Sequence, residues 1–265
     1  YYAENLTDII LPDSLQSIAE YAFYGCSSLT HITIPVNVVA VGRYALYSAK
    51  YITLNSSTAL PIPEGDSPIG YSVKLIFVPS SLLDTYLSIF GEYSSKIVSV
   101  DVEYEIIDDA FIVSKTDNSL IRYFGVASYG ITTPSVITSI QEGAFKNSVA
   151  LSLILSEGIT EIGEFAFYGA SFSGISLPAS LLEIGQDSFS SCSVNILIIN
   201  GNTVFDGLFT QFSSISKITL RSTTVPELVG NIPESVSQIN VPATLLDAYI
   251  ASDGWSAYSD LLRSI

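Results

Sequence analysis

The sequence predicts an α/β solenoid, and three observations carry that expectation. Apolar positions recur with a period of 22 to 23 residues, each period holds a strand-like segment followed by a second short apolar segment, and a strand-then-helix pattern occurs twice, 163 residues apart. One unit of this size cannot bury its own apolar face, whereas stacked units share a continuous core.

The strand segments come first. Leu6, Ile9, Leu11 and Pro12 realign with Leu29, Ile32, Ile34 and Pro35, a step of 23 at every position. The pattern L-x-x-I-x-I alternates at its end and is stopped by proline, as a short strand is. Pro134 and Pro178 mark the same place further on. The second segments follow. Ile18, Ala22 and Phe23 realign with Val41, Ala45 and Leu46. Ile140, Ala144 and Phe145 recur at Ile162, Ala166 and Phe167, then at Ile184, Ser188 and Phe189, with a weaker copy at Val204, Leu208 and Phe209. Apolar residues at i, i+4 and i+5 fit one or two turns of α- or 3₁₀-helix with a single inward face. The expectation is therefore short parallel strands on one face and short helical segments on the other.

The repeats stop twice. Val73, Ile76, Val78 and Pro79 lead into Leu82, Leu83, Asp84 and Tyr86, and the matching run is Val236, Ile239, Val241 and Pro242 into Leu245, Leu246, Asp247 and Tyr249. Each reads as a strand turning into an amphipathic helix, over 81–90 and 244–251, a cap that keeps water from the core of the last repeat. Two modules are expected. Residues 1–100 form a truncated module with a C-terminal cap; residues 101–265 form a second, with an opening hairpin, about four repeats and its own cap. The hairpin is read from apolar segments at 110–113 and 120–123 around a turn-rich hexapeptide. Tyr1, Tyr2 and Ala3 align with Tyr24, Gly25 and Cys26, so the chain is expected to start in mid-repeat. With no Met and no basic-then-apolar leader, it reads as a piece of a longer protein whose export signal or anchor lies outside it.

A period of 22 to 23 with two segments per turn lies in the leucine-rich-repeat range. The motif I-G-x-x-A-F-Y-G, seen from Ile162 to Gly169 and again with Ala19 in place of the glycine at 18–25, resembles the BspA-like leucine-rich repeats. Ala22-Phe23, Gly25-Cys26, Leu29 and Ile34-Pro35 carry the resemblance. Leu46 and Leu208 depart from it, as does a last repeat of 20 residues. The opening hairpin is also similar to that family's first unit. The resemblance implies a bacterial secreted or cell-surface protein that adheres to host or neighbouring-cell components.

Composition narrows the function classes. With 10 Lys+Arg against 26 Asp+Glu the formal charge is -16, which repels a phosphate backbone, so no nucleic acid is expected as partner. Only 14% of residues are charged while there are 16 Tyr, a surface kept wet by hydroxyls and typical of exported proteins. The longest apolar runs, 149–155 and 194–199, fall far short of the roughly 20 residues of a membrane helix, so no membrane insertion by this segment is expected. Two Cys and one His cannot assemble the usual metal-ligand clusters. No metal, cofactor or catalytic residue is expected, and the protein reads as no enzyme. His31, the one side chain with an ordinary pKa near neutrality, falls on the outer sheet face with no nucleophile elbow or phosphate loop beside it. Asp117 and Asn118 read as a turn, since they lack the alternating oxygen ligands and the following glycine of a calcium loop. Cys26 and Cys192 sit three residues after the repeat Phe, where other units hold Ala49, Ser148, Ala170 and Phe212, and read as buried free thiols. Tyr24, Tyr47 and Tyr168 at one fixed repeat position, with Tyr86, Tyr249 and Trp255 in the caps, read mostly as packing or surface-ladder residues.

The expected partner is an extracellular protein or glycan held by a monomer. The candidate binding face is the outward side of the strands: His31, Thr33, Thr53, Leu75, Phe77, Ser152, Ile154, Ser176, Lys217 and Thr219, with Asp8 and Ile10 beside them. Leu75 and Phe77 stand where the second cap has Gln238 and Asn240. Such an apolar pair is expected to be covered, by residues 101–133 or by an external ligand. The alternative reading is a structural spacer of a larger surface protein, with no ligand of its own.

Overall fold

The computed structural model describes residues 2–60, 67–125, 129–202 and 206–265. The chain divides into two compact units, Tyr1–Asp101 and Val102–Ile265.

The first unit runs β1 (Ser17–Ile18), β2 (His31–Ile34), β3 (Ala40–Val41), β4 (Tyr51–Leu54), β5 (Leu75–Val78), α1 (Leu83–Ile89) and β6 (Ile97–Ser99). Strands β2, β4, β5 and β6 make a parallel sheet in that order. Its register places Ile32, Ile52, Ile76 and Ile97 in one buried row. A second, two-stranded parallel ladder joins β1 to β3.

The second unit opens with β7 (Tyr104–Ile107), β8 (Phe111–Ser114) and β9 (Ser119–Tyr123), antiparallel neighbours in sequence. It continues with β10 (Gly130–Thr132), β11 (Ser139–Ile140), β12 (Val149–Ile154), β13 (Glu161–Ile162), β14 (Ser171–Leu177), β15 (Glu183–Ile184) and β16 (Ser193–Asn200). It ends with α2 (Leu208–Gln211), β17 (Ser214–Arg221), β18 (Gln238–Val241), α3 (Leu246–Ala251) and β19 (Leu262–Ser264). Seven strands, β10-β12-β14-β16-β17-β18-β19, form a wholly parallel sheet. Ile131, Leu153, Ile175, Leu197, Ile218, Ile239 and Leu262 run across it as one core row. The short strands β11, β13 and β15 extend the opening hairpin in parallel from β9.

The side opposite the main sheet differs from expectation. The segments that begin at Ile18, Val41, Ile140, Ile162 and Ile184 are two-residue strands followed by turns, not helices. The i, i+4, i+5 spacing is met all the same, because the strand supplies Ile162 and the turn supplies Ala166 and Phe167. Two backbone facts forbid the helix. Each turn passes through a left-handed residue, among them Tyr21, Tyr44, Gly143, Phe165 and Asp187 with φ between 52° and 64°. Each short strand also bonds to the next repeat instead of to itself: Gly163 N donates to Ile140 O, and Gly185 N to Ile162 O, both at 2.7 Å. That close approach explains the motif glycine, since a Cβ on Gly185 would meet Glu164 N at 2.7 Å.

Between the two ladders of the second unit lies a spine of rings. Tyr123, Phe145, Phe167, Phe189 and Phe212 stack in succession, with centroid separations of 5.4, 5.1, 4.7 and 4.5 Å. In the regular repeats the Phe amide donates to the next repeat's carbonyl, Phe145 N to Ala166 O and Phe167 N to Ser188 O. The shortened last repeat forms α2 there instead, and Gln211 Oε1 accepts from Phe189 N at 3.2 Å. A side chain thus takes the place of the carbonyl, and Phe212, not Phe209, supplies the ring that continues the spine beyond Phe189. Val204, in the same weak copy, lies outside the described residues.

Each unit finishes with a buried tyrosine from its final α-helix. Tyr86 Oη meets Ser56 Oγ at 2.9 Å and accepts from Leu60 N; Tyr249 Oη meets Ser222 Oγ at 2.7 Å. Burial raises the Tyr249 phenol above its ordinary pKa, tempered by the Ser222 bond. Trp255, fully buried beside Tyr249, donates Nε1–H to Pro226 O at 2.7 Å.

Candidate binding surfaces

Alternation along a strand sends every second side chain outward, and parallel registry lines the outward ones into rows. In the second unit one row reads Gly130, Ser152, Gly174, Ile196, Lys217, Gln238. The next reads Thr132, Ile154, Ser176, Ile198, Thr219, Asn240, Arg263. Of the residues picked from sequence, Ser152, Ile154, Ser176, Lys217 and Thr219 therefore fall together on these two rows. Ile196 and Ile198 belong there too and were missed, hidden inside an apolar run. The 22-residue step from Gly174 and Ser176 points to them.

These rows are knitted by their own hydrogen bonds. Asn200 Nδ2 donates to Ser176 Oγ (2.9 Å) and to Leu177 O (2.7 Å), and Asn240 Nδ2 donates to Thr219 Oγ1 (3.1 Å). Thr219 is buried, whereas Ile154 is 47% exposed.

The first unit places Thr33, Thr53 and Phe77 in one row and His31, Tyr51 and Leu75 in another. Thr33 is exposed, and His31 and Thr53 are half-buried with His31 Nε2 2.8 Å from Thr53 Oγ1. Burial pushes the His31 imidazole below its ordinary pKa, against a smaller upward pull from Asp8. Leu75 and Phe77 are only 3% and 1% exposed, so they do not belong to an open surface, as a place on the binding face would require. Asp8 and Ile10 are exposed.

Other candidates resolve into structure. Cys26 and Cys192 are free, buried thiols, and burial pushes the Cys192 thiol up to about 12. Asp117 Oδ1 accepts from Ser119 N (3.0 Å) and Ser119 Oγ (2.8 Å), and bonds from Ser114 and Ser119 hold its carboxyl below its ordinary value. Among the described residues no three His, Cys, Asp or Glu side chains converge to hold a metal ion, and no helix is long and apolar enough to cross a membrane.

A second exposed surface lies along the turns. Tyr21, Tyr24, Tyr44 and Tyr47 form a continuous, half-buried cluster in the first unit. Phe165 and Tyr168 occupy the same repeat positions in the second unit. Sequence reasoning noticed the regular spacing of Tyr24, Tyr47 and Tyr168 but not their partners Tyr21, Tyr44 and Phe165. The first residues of β12, β14, β16 and β17 also border an open groove of about 480 Å³, lined by Ser171, Ser173, Ser193, Asn195, Ser214 and Leu151 among others.

Comparison with solved structures finds a pneumococcal vaccine antigen, PcpA, at 18% identity and a TM-score of 0.42, covering 94% of this chain and 69% of that one. A leucine-rich repeat protein from Eubacterium ventriosum matches at 16% identity and a TM-score of 0.38, covering 86% and 78%. A leucine rich cell surface protein from Faecalibacterium prausnitzii matches at 22% identity and a TM-score of 0.35, covering 99% and 66%. No curated protein matches the chain. Residues 1–115 and 128–243 match the BspA type leucine rich repeat region in six copies, in step with the stacked strands and turns described above, and the chain belongs to that family.

Proposed function

We propose that the chain is the ligand-binding repeat segment of a secreted or cell-surface protein that attaches to host or neighbouring-cell components. It acts as two solenoid modules, 1–100 and 101–265, each closed by a strand-helix cap, and as a monomer. The observation that carries the reading is the pair of outward rows across the seven parallel strands, where a constant backbone presents side chains that change from rung to rung. Such a surface is preorganised by its scaffold, and its chemistry is free to vary. Membership of a repeat family that serves as an interaction scaffold supports it. So does a composition with one His and 14% charged residues, poor material for acid–base catalysis.

The spacer reading has one observation in its favour: the outer sheet face carries small, internally bonded groups, with Leu75, Phe77 and Thr219 buried. Labelled protein applied to intact epithelial cells and to the matrix they deposit decides between the two. Saturable binding, competed by excess unlabelled protein, is expected; its absence on both surfaces would leave the spacer.

A further inference from the structure

Early in the turn that follows each short strand a residue lies in the left-handed region, Tyr21 (φ 56°), Tyr44 (53°), Gly143 (64°), Phe165 (52°) and Asp187 (55°), and Gly207 (63°) holds the same conformation just before α2. Glycine adopts that conformation at no steric cost, whereas a bulky side chain there is an outlier. Two repeats take the undemanding residue and three take an aromatic one. An outlier that persists when the fold offers a cheaper choice is grounds for a functional hypothesis.

The aromatic residues gather at the surface. In the first unit Tyr21 stacks on Tyr44 at 5.2 Å, and Tyr24 lies 5.6 Å from Tyr21 and 5.3 Å from Tyr47. Tyr2 adds an edge-on ring 5.8 Å from Tyr24 and is 65% exposed. In the second unit Phe165 and Tyr168 lie 6.2 Å apart, each 39% exposed. With Glu142, Gly143 and Lys146 they line a cavity of about 480 Å³, and Lys146 Nζ stands 5.6 Å from the Tyr168 ring centre.

We propose that the aromatic turn edge of each unit is a ligand contact of its own beside the outward rows, and that its ligand is an uncharged glycan. The inference rests on the binding function proposed above and adds a site to it. Tyrosine offers an apolar ring with a polar tip, the complement of a sugar ring with its apolar C–H face and rim of hydroxyls. Charge at the edge is mixed and makes no basic patch for an anion: Glu20 and Arg43 precede Tyr21 and Tyr44, Glu164 precedes Phe165, and Glu142 shares its cavity with Lys146. An anionic ligand would also meet a chain of net charge -16. An extended peptide would seek unpaired backbone groups, but here the turns spend theirs on each other, Tyr21 N on Arg43 O, Phe23 N on Ala45 O and Tyr47 N on Tyr44 O.

The test measures binding of the full chain to immobilised asialomucin, before and after enzymatic removal of its glycans. Wild type is compared with Tyr21→Gly/Tyr24→Ala, with Phe165→Gly/Tyr168→Ala and with a control at exposed residues of neither surface, Leu182→Ser/Ile250→Ser. Deglycosylation should weaken wild-type binding at least tenfold, each aromatic double variant should lose at least fivefold, and the control should match wild type. The single variants Tyr21→Gly and Phe165→Gly guard against misfolding. They relax the strained turn, so their thermal midpoints should not fall although binding does. Binding that survives deglycosylation would assign the surface to a protein ligand, and full binding by the aromatic variants would place the site elsewhere. Either result overturns the inference while cell binding, measured in parallel, still stands. Failure of wild type to bind asialomucin overturns the glycan assignment as well, and failure to bind cells removes the binding function itself.

Discussion

Cys192 sits fully buried three residues beyond Phe189, in a slot that other repeats fill with alanine or serine. Burial takes its thiol out of water, and desolvation of the thiolate lifts its pKa to about 12 from an ordinary 9.0. The sign of the linkage follows. Between those two values the unfolded chain loses the proton and the folded chain keeps it, so stability falls as pH rises through that window, by up to about 1.4 kcal/mol per pH unit. Below the lower value the thiol is neutral in both states and contributes no pH dependence. In urea titrations at pH 8, 9 and 10, Cys192→Ala should lose stability less steeply than wild type above pH 9. The native thiol should react with a soluble disulfide reagent only as fast as the protein opens. Parallel slopes for the two proteins would show that Cys192 ionises in the folded state as readily as in the unfolded one.

The ring spine is the corresponding feature at the scale of elements. Phe167 is fully buried and touches rings on both sides, Phe145 at 5.1 Å and Phe189 at 4.7 Å, so Phe167→Ala leaves a cavity that two neighbouring repeats must share. A loss of about 3 to 5 kcal/mol is expected by chemical denaturation. Ser176→Ala removes only a half-buried hydroxyl that accepts from Asn200, and about 1 kcal/mol or less is expected. Comparable losses would mean that the spine is not what couples the repeats. The strands and the spine were legible in the sequence because period 22 repeats every inward contact, so Phe145, Phe167 and Phe189 announce each other. The helices expected opposite the sheet were not there, because a two-residue strand plus a turn reproduces helical spacing. The deciding signal, a left-handed residue in every turn, is written as Tyr, Phe or Asp twice as often as Gly. The outward rows were half legible: Ser152 and Ser176 show against apolar neighbours, while Ile196 and Ile198 are outward yet apolar and merge with the core pattern. The turn aromatics were visible as a spacing, but their clustering depends on which way the turn bends.

Across the whole molecule, charge acts on many rungs at once. Residues 1–101 carry 9 acidic and 4 basic side chains and residues 102–265 carry 17 and 6, together the 26 and 10 of the chain. Stacking repeats in register multiplies the imbalance, because a carboxylate placed at one rung recurs at the next. Glu161 and Glu183 are direct partners on adjacent parallel strands, and both are exposed. Like charges directly opposite cost roughly 0.2 to 1 kcal/mol, and the remaining excess adds self-repulsion that the unfolded chain largely escapes. Raising ionic strength from 0.01 to 0.15 M shortens the screening length from about 30 to about 8 Å, which silences repulsion between distant rungs but only part of that between neighbours. The thermal midpoint should therefore rise with sodium chloride over this range, by about 2 to 4 °C for each kcal/mol relieved. Glu161→Gln should raise the low-salt midpoint and shrink the salt response, since it removes one member of a like-charged pair on adjacent strands. A midpoint that falls with salt, or a Glu161→Gln protein as salt-sensitive as wild type, would show that the acidic excess is already neutralised within the fold.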